Sequence, residues 1–347
     1  MGPSLLSSTL GIIVVYVVTG LPPMDTLDKD LPLACHDTEF LLRADQPKPD
    51  FFLIGGAKCG TTSFAAYLPD HPQVAPWQVK EPNYWSWRRP NTRQYQALFT
   101  NIYPLDVVGP GQQLAGDYST SSLLHPMVPR RLVASLPNVK IVLMLRNPID
   151  RAYSHYMMSR RSGLEGDQSF DAIVRREANL VPELLAAHRR GFQNPSGESS
   201  YCYRDINGNT LYFPLHNRQW TPRPFKTDTD LQAFYFTSYV FRSIYYDQVL
   251  RWLTLFPRRH MHIIKSESFF ADPAKHMAEV SSFLGLPPHS FSKKELKRHY
   301  AGSGSGDWAP AKKYQSMNKE TRKFLRDLFA PYNDKLYALL GEDYGWK

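Results

Sequence analysis

The chain has 347 residues, with 41 Lys and Arg against 32 Asp and Glu for a formal charge of +9, and 42% of its residues are hydrophobic and 13% aromatic. That much apolar material excludes a disordered or fibrous protein, and three cysteines exclude a disulfide scaffold. Twenty-eight prolines predict many loops between short elements instead of long helical rods.

The charge is uneven along the chain. Residues 1–24 carry no charged side chain, and residues 25–50 carry seven acids against three bases, a net of −4, which leaves +13 for residues 51–347. A body that basic suits an anionic partner: a nucleotide, a nucleic acid, an acidic glycan or a membrane surface. It also suits a generally basic surface with no specific role. The uncharged start holds an Ile- and Val-rich run, Leu10–Val18, which reads as a signal anchor or as a signal peptide cleaved after the small residues Thr19 and Gly20. Acidic residues follow it and only the α-amine precedes it, an N-in, C-out pattern. The expectation is therefore a single-pass type II Golgi membrane protein with its membrane contact in residues 1–24 and an acidic stem over 25–48. A single lumenal domain over 49–347 follows, and secretion after cleavage is the alternative. In an oxidising lumen Cys35 and Cys202 are available to pair, with Cys59 left as the odd thiol. The chain has no Asn-x-Ser/Thr acceptor, because Asn194 is followed by Pro195.

Phe51–Ile54 is a short apolar run bounded by glycine and predicts a buried strand. Gly55-Gly56-Ala57-Lys58-Cys59-Gly60-Thr61-Thr62-Ser63 follows, and then a helical pattern through Phe64, Ala65, Tyr67 and Leu68. A strand, a glycine-rich loop and a helix start aim backbone N–H groups at an anion. Lys58 adds a mobile charge, and Thr61, Thr62 and Ser63 add hydroxyls. The Gly55 to Gly60 spacing suits a nucleoside triphosphatase loop, but Thr61 stands where that loop has its lysine. A second apolar strand, Val139–Leu145, ends in Arg146 where a metal-holding aspartate is expected. The pattern offers cations and hydroxyls with no Mg²⁺ ligands, so a metal-free phosphate or sulfate donor fits it better.

After that second strand, Asn147-Pro148 predicts a capped helix start, with Ser154 in its second turn. An arginine fork with a hydroxyl suits a phosphate monoester. Two strand–loop–helix units of this kind suit a nucleotide phosphorylated at both its 5′ and 3′ positions.

Together these residues resemble a family. Lys58-x-Gly60-Thr61-Thr62, Lys80-Glu81-Pro82-x-x-Trp85 and Leu145-Arg146-Asn147-Pro148-x-x-Arg151-x-x-Ser154 look like the PAPS-dependent sulfotransferases, whose donor is 3′-phosphoadenosine 5′-phosphosulfate. The likeness is strongest to their Golgi carbohydrate branch. Within that branch it is nearest to the N-acetylgalactosamine 4-sulfate 6-O-sulfotransferases, with the heparan sulfate N- and 3-O-sulfotransferases next. It covers roughly residues 50–347 and leaves an insert at about 160–235 poorly matched.

The resemblance implies an α/β fold with a mostly parallel central sheet flanked by helices and a P-loop-like donor site. It implies in-line displacement, in which Glu81 takes the acceptor proton and Lys58 follows charge on the bridging oxygen. Lys58, Cys59, Gly60, Thr61, Thr62 and Ser63 would bind the 5′ end of the donor, and Arg146 and Ser154 its 3′-phosphate. Lys312 and Lys313, after the Gly302–Gly306 tract, would close over the donor, although that tract also reads as a solvated linker. Lys80, Trp85, Arg88, Arg89 and Asp117 would meet the acceptor, the tryptophan by stacking on sugar and the arginines by pairing with its anions. Buried tryptophan under snorkelling arginines is the other reading of that strip. His71, His125 and His155 compete with Glu81 as bases, but none stands in a matching motif.

Further along, Asp272-Pro273 predicts a helix ended by Gly285, and Asn318 predicts a helix interrupted near Pro331 and resumed through Leu336, Leu339 and Leu340. The overall expectation is a metal-independent, PAPS-dependent carbohydrate O-sulfotransferase with a glycosaminoglycan-like, chondroitin sulfate type acceptor. Tyr118 replaces a lysine used by some heparan sulfate enzymes. Heparan, another polysaccharide, a small hydroxylated metabolite and tyrosine stay as alternative acceptors. A P-loop kinase or triphosphatase and a noncatalytic basic glycan-binding module stay as alternative classes. The chain shows no nucleic-acid-binding motif.

Overall fold

Strand β1, Phe51–Gly55, is buried at all five positions. Its alternate residues serve two cores, Phe52 and Ile54 on one face and Phe51 and Leu53 on the other. That double burial is what a strand inside a parallel sheet requires. The computed structural model describes residues 48–77, 80–86, 99, 103, 113–125, 128–161, 165, 167–193, 200–204, 210–214, 238–291, 296 and 316–346. Residues 1–47, Arg88, Arg89, Lys312 and Lys313 lie outside the described residues. Among the described residues no helix is long and apolar enough to cross a membrane.

The main sheet has four parallel strands in the order β2-β1-β3-β6, with β2 at Gly116–Asp117, β3 at Lys140–Leu145 and β6 at Met261–Lys265. β1 and β3 pair from Phe51 opposite Lys140 to Gly55 opposite Met144. β3 repeats the alternation, sending Ile141, Leu143 and Leu145 to one core and Val142 and Met144 to the other. The first core is covered by helix α2 (Val128–Ser135) through Leu132 and by α5 (Tyr245–Leu255) through Val249 and Trp252. The second is covered by α1 (Thr61–Tyr67) through Phe64 and by α7 (Pro273–Leu284) through Met277 and Val280. Fully burying each of these large apolar side chains contributes about 1.5–3 kcal/mol. The α/β class and parallel sheet expected from the sequence are the architecture found.

A third cluster joins α3 (Pro148–Arg161), α4 (Phe170–Gln193) and α8 (Lys319–Leu340) through Ile149, Ala152, Val174, Leu184, Leu325 and Phe329. α8 corrects one expectation. It runs unbroken through Pro331, because buried Leu325, Phe329 and Leu336 on either side of the proline keep one face packed. Its start follows the sequence: Asn318 Oδ1 accepts from Glu320 N at 2.7 Å. Within the insert, strands β4 (Ser200–Arg204) and β5 (Thr210–Pro214) form an antiparallel pair. A short helix, α6 (Ser266–Ala271), follows β6 directly.

The C-terminal ends of β1, β2, β3 and β6 lie along one edge of the sheet. They lead into Gly56–Gly60, Tyr118–Thr120, Arg146–Asn147 and Ser266–Glu267. In an open parallel sheet that edge is where ligands bind.

Candidate active site

The loop after β1 is shaped by three anchors, each on a different element. Ala57 O accepts from Arg151 Nη1 at 3.2 Å, Lys58 O from Arg146 Nη1 at 3.0 Å, and Cys59 O from Ser266 Oγ at 2.7 Å. A trans peptide sets its N–H opposite its carbonyl. Drawing the Ala57 and Cys59 carbonyls onto the scaffold therefore turns the N–H groups of Lys58 and Gly60 the other way. Lys58 itself sits in the left-handed region at φ 75°, and Gly60 at φ 87°. A run of amides presented this way makes a concavity for an anion. Gly56 allows the close packing beneath: a Cβ there would lie 2.8 Å from Cys59 Sγ and 3.1 Å from Arg151 Cδ. The α1 amides of Thr61, Thr62 and Ser63 precede the first helical bond, Phe64 N to Gly60 O at 3.0 Å.

Arg151 makes the most contacts of the three anchors and has no exposed surface. Besides Ala57 O it donates to Ser243 Oγ at 2.6 Å and Tyr239 O at 2.6 Å, and its Nη1 lies 3.4 Å from His155 Nδ1. Burial lowers its pKa, while Tyr245, Cys59 and Glu177 act against that shift. Glu177 on α4 accepts from Tyr239 N and Val240 N at 2.9 and 2.5 Å. Tyr239 is thus clasped between a buried carboxyl and a buried guanidinium. Burial raises the Glu177 carboxyl to about 7 against these hydrogen bonds.

The two anion units of the sequence come together here. Lys58 Nζ reaches Met158 Sδ on α3 at 3.5 Å, and Met158 lies one turn beyond Ser154 on the same face. Asn147 Oδ1 caps α3 by accepting from Ile149 N at 3.0 Å, while Asn147 N donates to Glu267 Oε1 at 2.7 Å. Ser266 Oγ also reaches Leu145 O at 2.8 Å, tying the β3 end to the loop. Lys58 and Arg146 therefore meet at the strand ends, beside the α3 face that bears Ser154.

Glu81 stands on a second strained turn. It has φ 64° and precedes Pro82, and Asn83 has φ 51°. A residue before proline is pushed toward extended backbone, so a left-handed glutamate there costs on the order of 1–3 kcal/mol. Burial would raise its carboxyl. The Lys80 ammonium at 2.8 Å, a Thr120 hydroxyl and Arg242 outweigh burial and hold it below the usual carboxylate range. Buried Arg242 also responds to Arg151; burial and that neighbour push it down to about 10, and Glu81 opposes them. Arg242 thus lies within electrostatic reach of both the turn and the loop anchor.

Other expected residues have different surroundings. Lys80 pairs with Glu81. Asp117 is 2% exposed and accepts from Ser119 Oγ at 2.5 Å. Trp85 corrects an expectation: it is fully buried in the first core with Tyr84 and Leu132, so it offers no face for sugar stacking. Cys59 contributes backbone only, since its thiol is buried 3.9 Å from Tyr245 Oη. The histidines have structural partners or burial. His71 Nδ1 accepts from Gln73 N at 3.1 Å and its Nε2 meets Pro287 O at 3.0 Å. His155 meets Arg151, and burial pushes His125 well below its usual range. Among the described residues no group of three His, Cys, Asp or Glu is placed to hold a metal ion. The sequence patterns give no site role to Arg151, Arg242 or Ser266, and of the three only Arg151 stands inside a motif.

A parallel sheet that gathers a glycine-rich loop, a lysine and an arginine at its strand ends defines a phosphate-binding α/β protein. The chain belongs to the sulfotransferase domain family, whose model matches residues 48–328. The resemblance to the PAPS-dependent sulfotransferases holds, and the triphosphatase alternative falls. The chain is 26% identical to the membrane-associated sulfotransferase kil1 of Dictyostelium discoideum, over 92% of this chain and 70% of that protein. It is 23% identical to human carbohydrate sulfotransferase 15, over 90% of this chain and 56% of that protein, and so spans little more than half of that relative's length. A sulfotransferase crystal structure from Alicyclobacillus acidocaldarius superposes with a TM-score of 0.56 at 25% identity, covering 86% of this chain and 97% of the other.

Proposed function

We propose that the chain is a carbohydrate O-sulfotransferase that uses 3′-phosphoadenosine 5′-phosphosulfate and acts on a glycosaminoglycan-like acceptor of the chondroitin sulfate type. The observation that carries this reading is the meeting of Lys58 with the α3 face that bears Ser154, while Arg146 holds the Lys58 carbonyl. One frame then suits a donor with phosphates at both ends. Lys58, Gly60, Thr61, Thr62 and Ser63 take its 5′ end, Arg146 and Ser154 its 3′-phosphate, and Lys312 and Lys313 close over it. The acceptor oxygen attacks sulfur, its proton passes to Glu81, and the bond from sulfur to the 5′-phosphate oxygen breaks. Lys58 and the loop amides stabilise the charge on the departing 3′,5′-bisphosphate. The lowered Glu81 carboxyl is ionised at neutral pH, as a base must be.

Arg88, Arg89 and Lys80 suit an anionic glycan. The carbohydrate class is supported by the likeness to carbohydrate sulfotransferase 15. A membrane anchor in residues 1–24, a stem over 25–48 and a lumenal domain over 49–347 in the Golgi complete the reading, supported by the Leu10–Val18 run and by the membrane-associated relative.

The test is transfer of ³⁵S from labelled donor by the full-length chain to chondroitin sulfate, heparan sulfate and a phenol, with EDTA present and Glu81→Gln alongside. Transfer to chondroitin sulfate that the variant loses by about 100-fold or more is expected. Transfer only to the phenol, or donor binding without transfer to either glycan, overturns the carbohydrate acceptor. Full activity in Glu81→Gln overturns the base.

A further inference from the structure

The buried carboxylate of Asp117 has no part in the steps above. Asp117 ends β2, is 2% exposed, and accepts from Ser119 Oγ at 2.5 Å; Ser119 has no exposed surface. That hydroxyl, fixed by the carboxylate, accepts from Asn83 N at 2.9 Å. Asn83 in turn donates from Nδ2 to Glu81 O at 3.0 Å, while its own carbonyl accepts from Ser86 Oγ at 2.7 Å. The path is continuous: carboxylate, hydroxyl, backbone amide, side-chain amide, and the carbonyl of the strained residue. Both left-handed residues of the turn, Glu81 and Asn83, lie within it. Such strain persists only where the surroundings over-determine it.

We infer that Asp117 and Ser119 are positioning residues that lock the Glu81-Pro82-Asn83 turn and so aim the Glu81 carboxylate, a role that replaces direct acceptor contact by Asp117. The inference rests on the proposed reading of Glu81 as base. By accepting from the Ser119 hydroxyl, the Asp117 carboxyl holds that proton away from Asn83. The serine lone pair is then available to the Asn83 amide, which fixes the left-handed turn. The same segment continues to Thr120, whose hydroxyl meets the Glu81 carboxylate. One stretch of four residues therefore holds both the backbone and the charge of the base. A polysaccharide has no route to a carboxylate this buried, but a buried network over a strained turn suits a relay that sets an angle.

The test compares Ser119→Ala and Asp117→Asn, each alone and combined with Glu81→Gln, in the full-length chain with chondroitin sulfate as acceptor. Each single variant is expected to lower kcat by about 10- to 100-fold, the cost of a small misplacement of a reacting group. The acceptor KM, the affinity for 3′,5′-bisphosphoadenosine and the melting temperature should stay near wild type. In the Glu81→Gln background, neither change should lower the residual rate further, because groups that act through one another are not additive. A raised acceptor KM at unchanged kcat in Asp117→Asn overturns the inference in favour of direct contact. So does an undiminished loss in the Glu81→Gln background, or a parallel loss of donor affinity and melting temperature in both single variants. Wild-type rates in both, with Glu81→Gln inactive, remove this inference and leave the base intact. An active Glu81→Gln, or no transfer to chondroitin sulfate, removes both.

Discussion

The donor loop and the base turn solve the same problem by different means. Each holds a charged, non-glycine residue in the left-handed region, Lys58 at φ 75° and Glu81 at φ 64°. The donor loop is held by three carbonyl anchors from α3, the end of β3 and α6, one of them a fully buried guanidinium. The base turn is held by short polar contacts from residues 117–120 and by its own neighbour Lys80, and the Glu81 side chain is 35% exposed. The donor side is therefore built into the stability of the domain, while the base side is fastened onto its edge. Damage to the first should show in folding and donor affinity, and damage to the second in turnover.

The largest break in this contrast is Arg151→Met. It leaves Ala57 O and Ser243 Oγ without the guanidinium, leaves Tyr239 O with the Ser243 hydroxyl alone, and removes the charge near Glu177. Removing one member of a buried charged network costs about 3–5 kcal/mol, and urea unfolding at pH 7.5 should show a loss of that size. A loss below about 1 kcal/mol would mean that the loop is held by something else. Next comes Glu177→Gln. The fold raises this carboxyl from 4.5 to about 7, so the folded state binds the proton more tightly. Its contribution to stability is full below pH 4.5 and is lost as pH rises through about 7, a change of at most about 3 kcal/mol. Melting curves between pH 5 and 8 should flatten in the glutamine variant by that component. Equal slopes in the two proteins would remove Glu177 from the account.

What was legible in the sequence follows the same division. The Gly55–Ser63 loop, the Asn147 cap with Pro148 and the Arg146 strand end are local patterns, because a phosphate is held by a strand, a turn and a helix start in succession. The anchors behind them are not local. Arg151 meets Ala57 and Tyr239 across 94 and 88 residues, and Ser266 meets Cys59 across 207. No window of sequence contains such a pair. Trp85 shows the opposite failure. An aromatic beside arginines has the same local pattern whether it stacks on sugar or lies in a core, and only the packing of α2 against it decides. Pro331 marks a break by propensity, yet the apolar face of α8 overrides it.

Gly60→Ala separates two smaller costs on the donor side. A left-handed alanine costs about 1–2 kcal/mol, and its Cβ would also lie 2.7 Å from Phe270 Cζ. Phe270 is 48% exposed, so its ring has room to swing aside. Affinity for 3′,5′-bisphosphoadenosine should fall by about tenfold, and Phe270→Ala should recover only the steric part. Full recovery in the double variant would show that the backbone carries no strain there.

The smallest effect sharpens the base side. Lys80→Gln removes the ammonium 2.8 Å from the Glu81 carboxylate, and that cation is the leading influence opposing burial. The Glu81 carboxyl should then rise. Since the base must be ionised, the acidic limb of the kcat profile should move to higher pH, with the loss growing as pH falls and little change on the alkaline plateau. Thr120→Val should move it the same way through the lost hydroxyl. The pair is partly exposed, so the melting temperature should hardly move. That is the reverse of the Arg151 result. A shifted melting temperature with an unshifted pH profile would place Lys80 in the scaffold and break the division between the two regions.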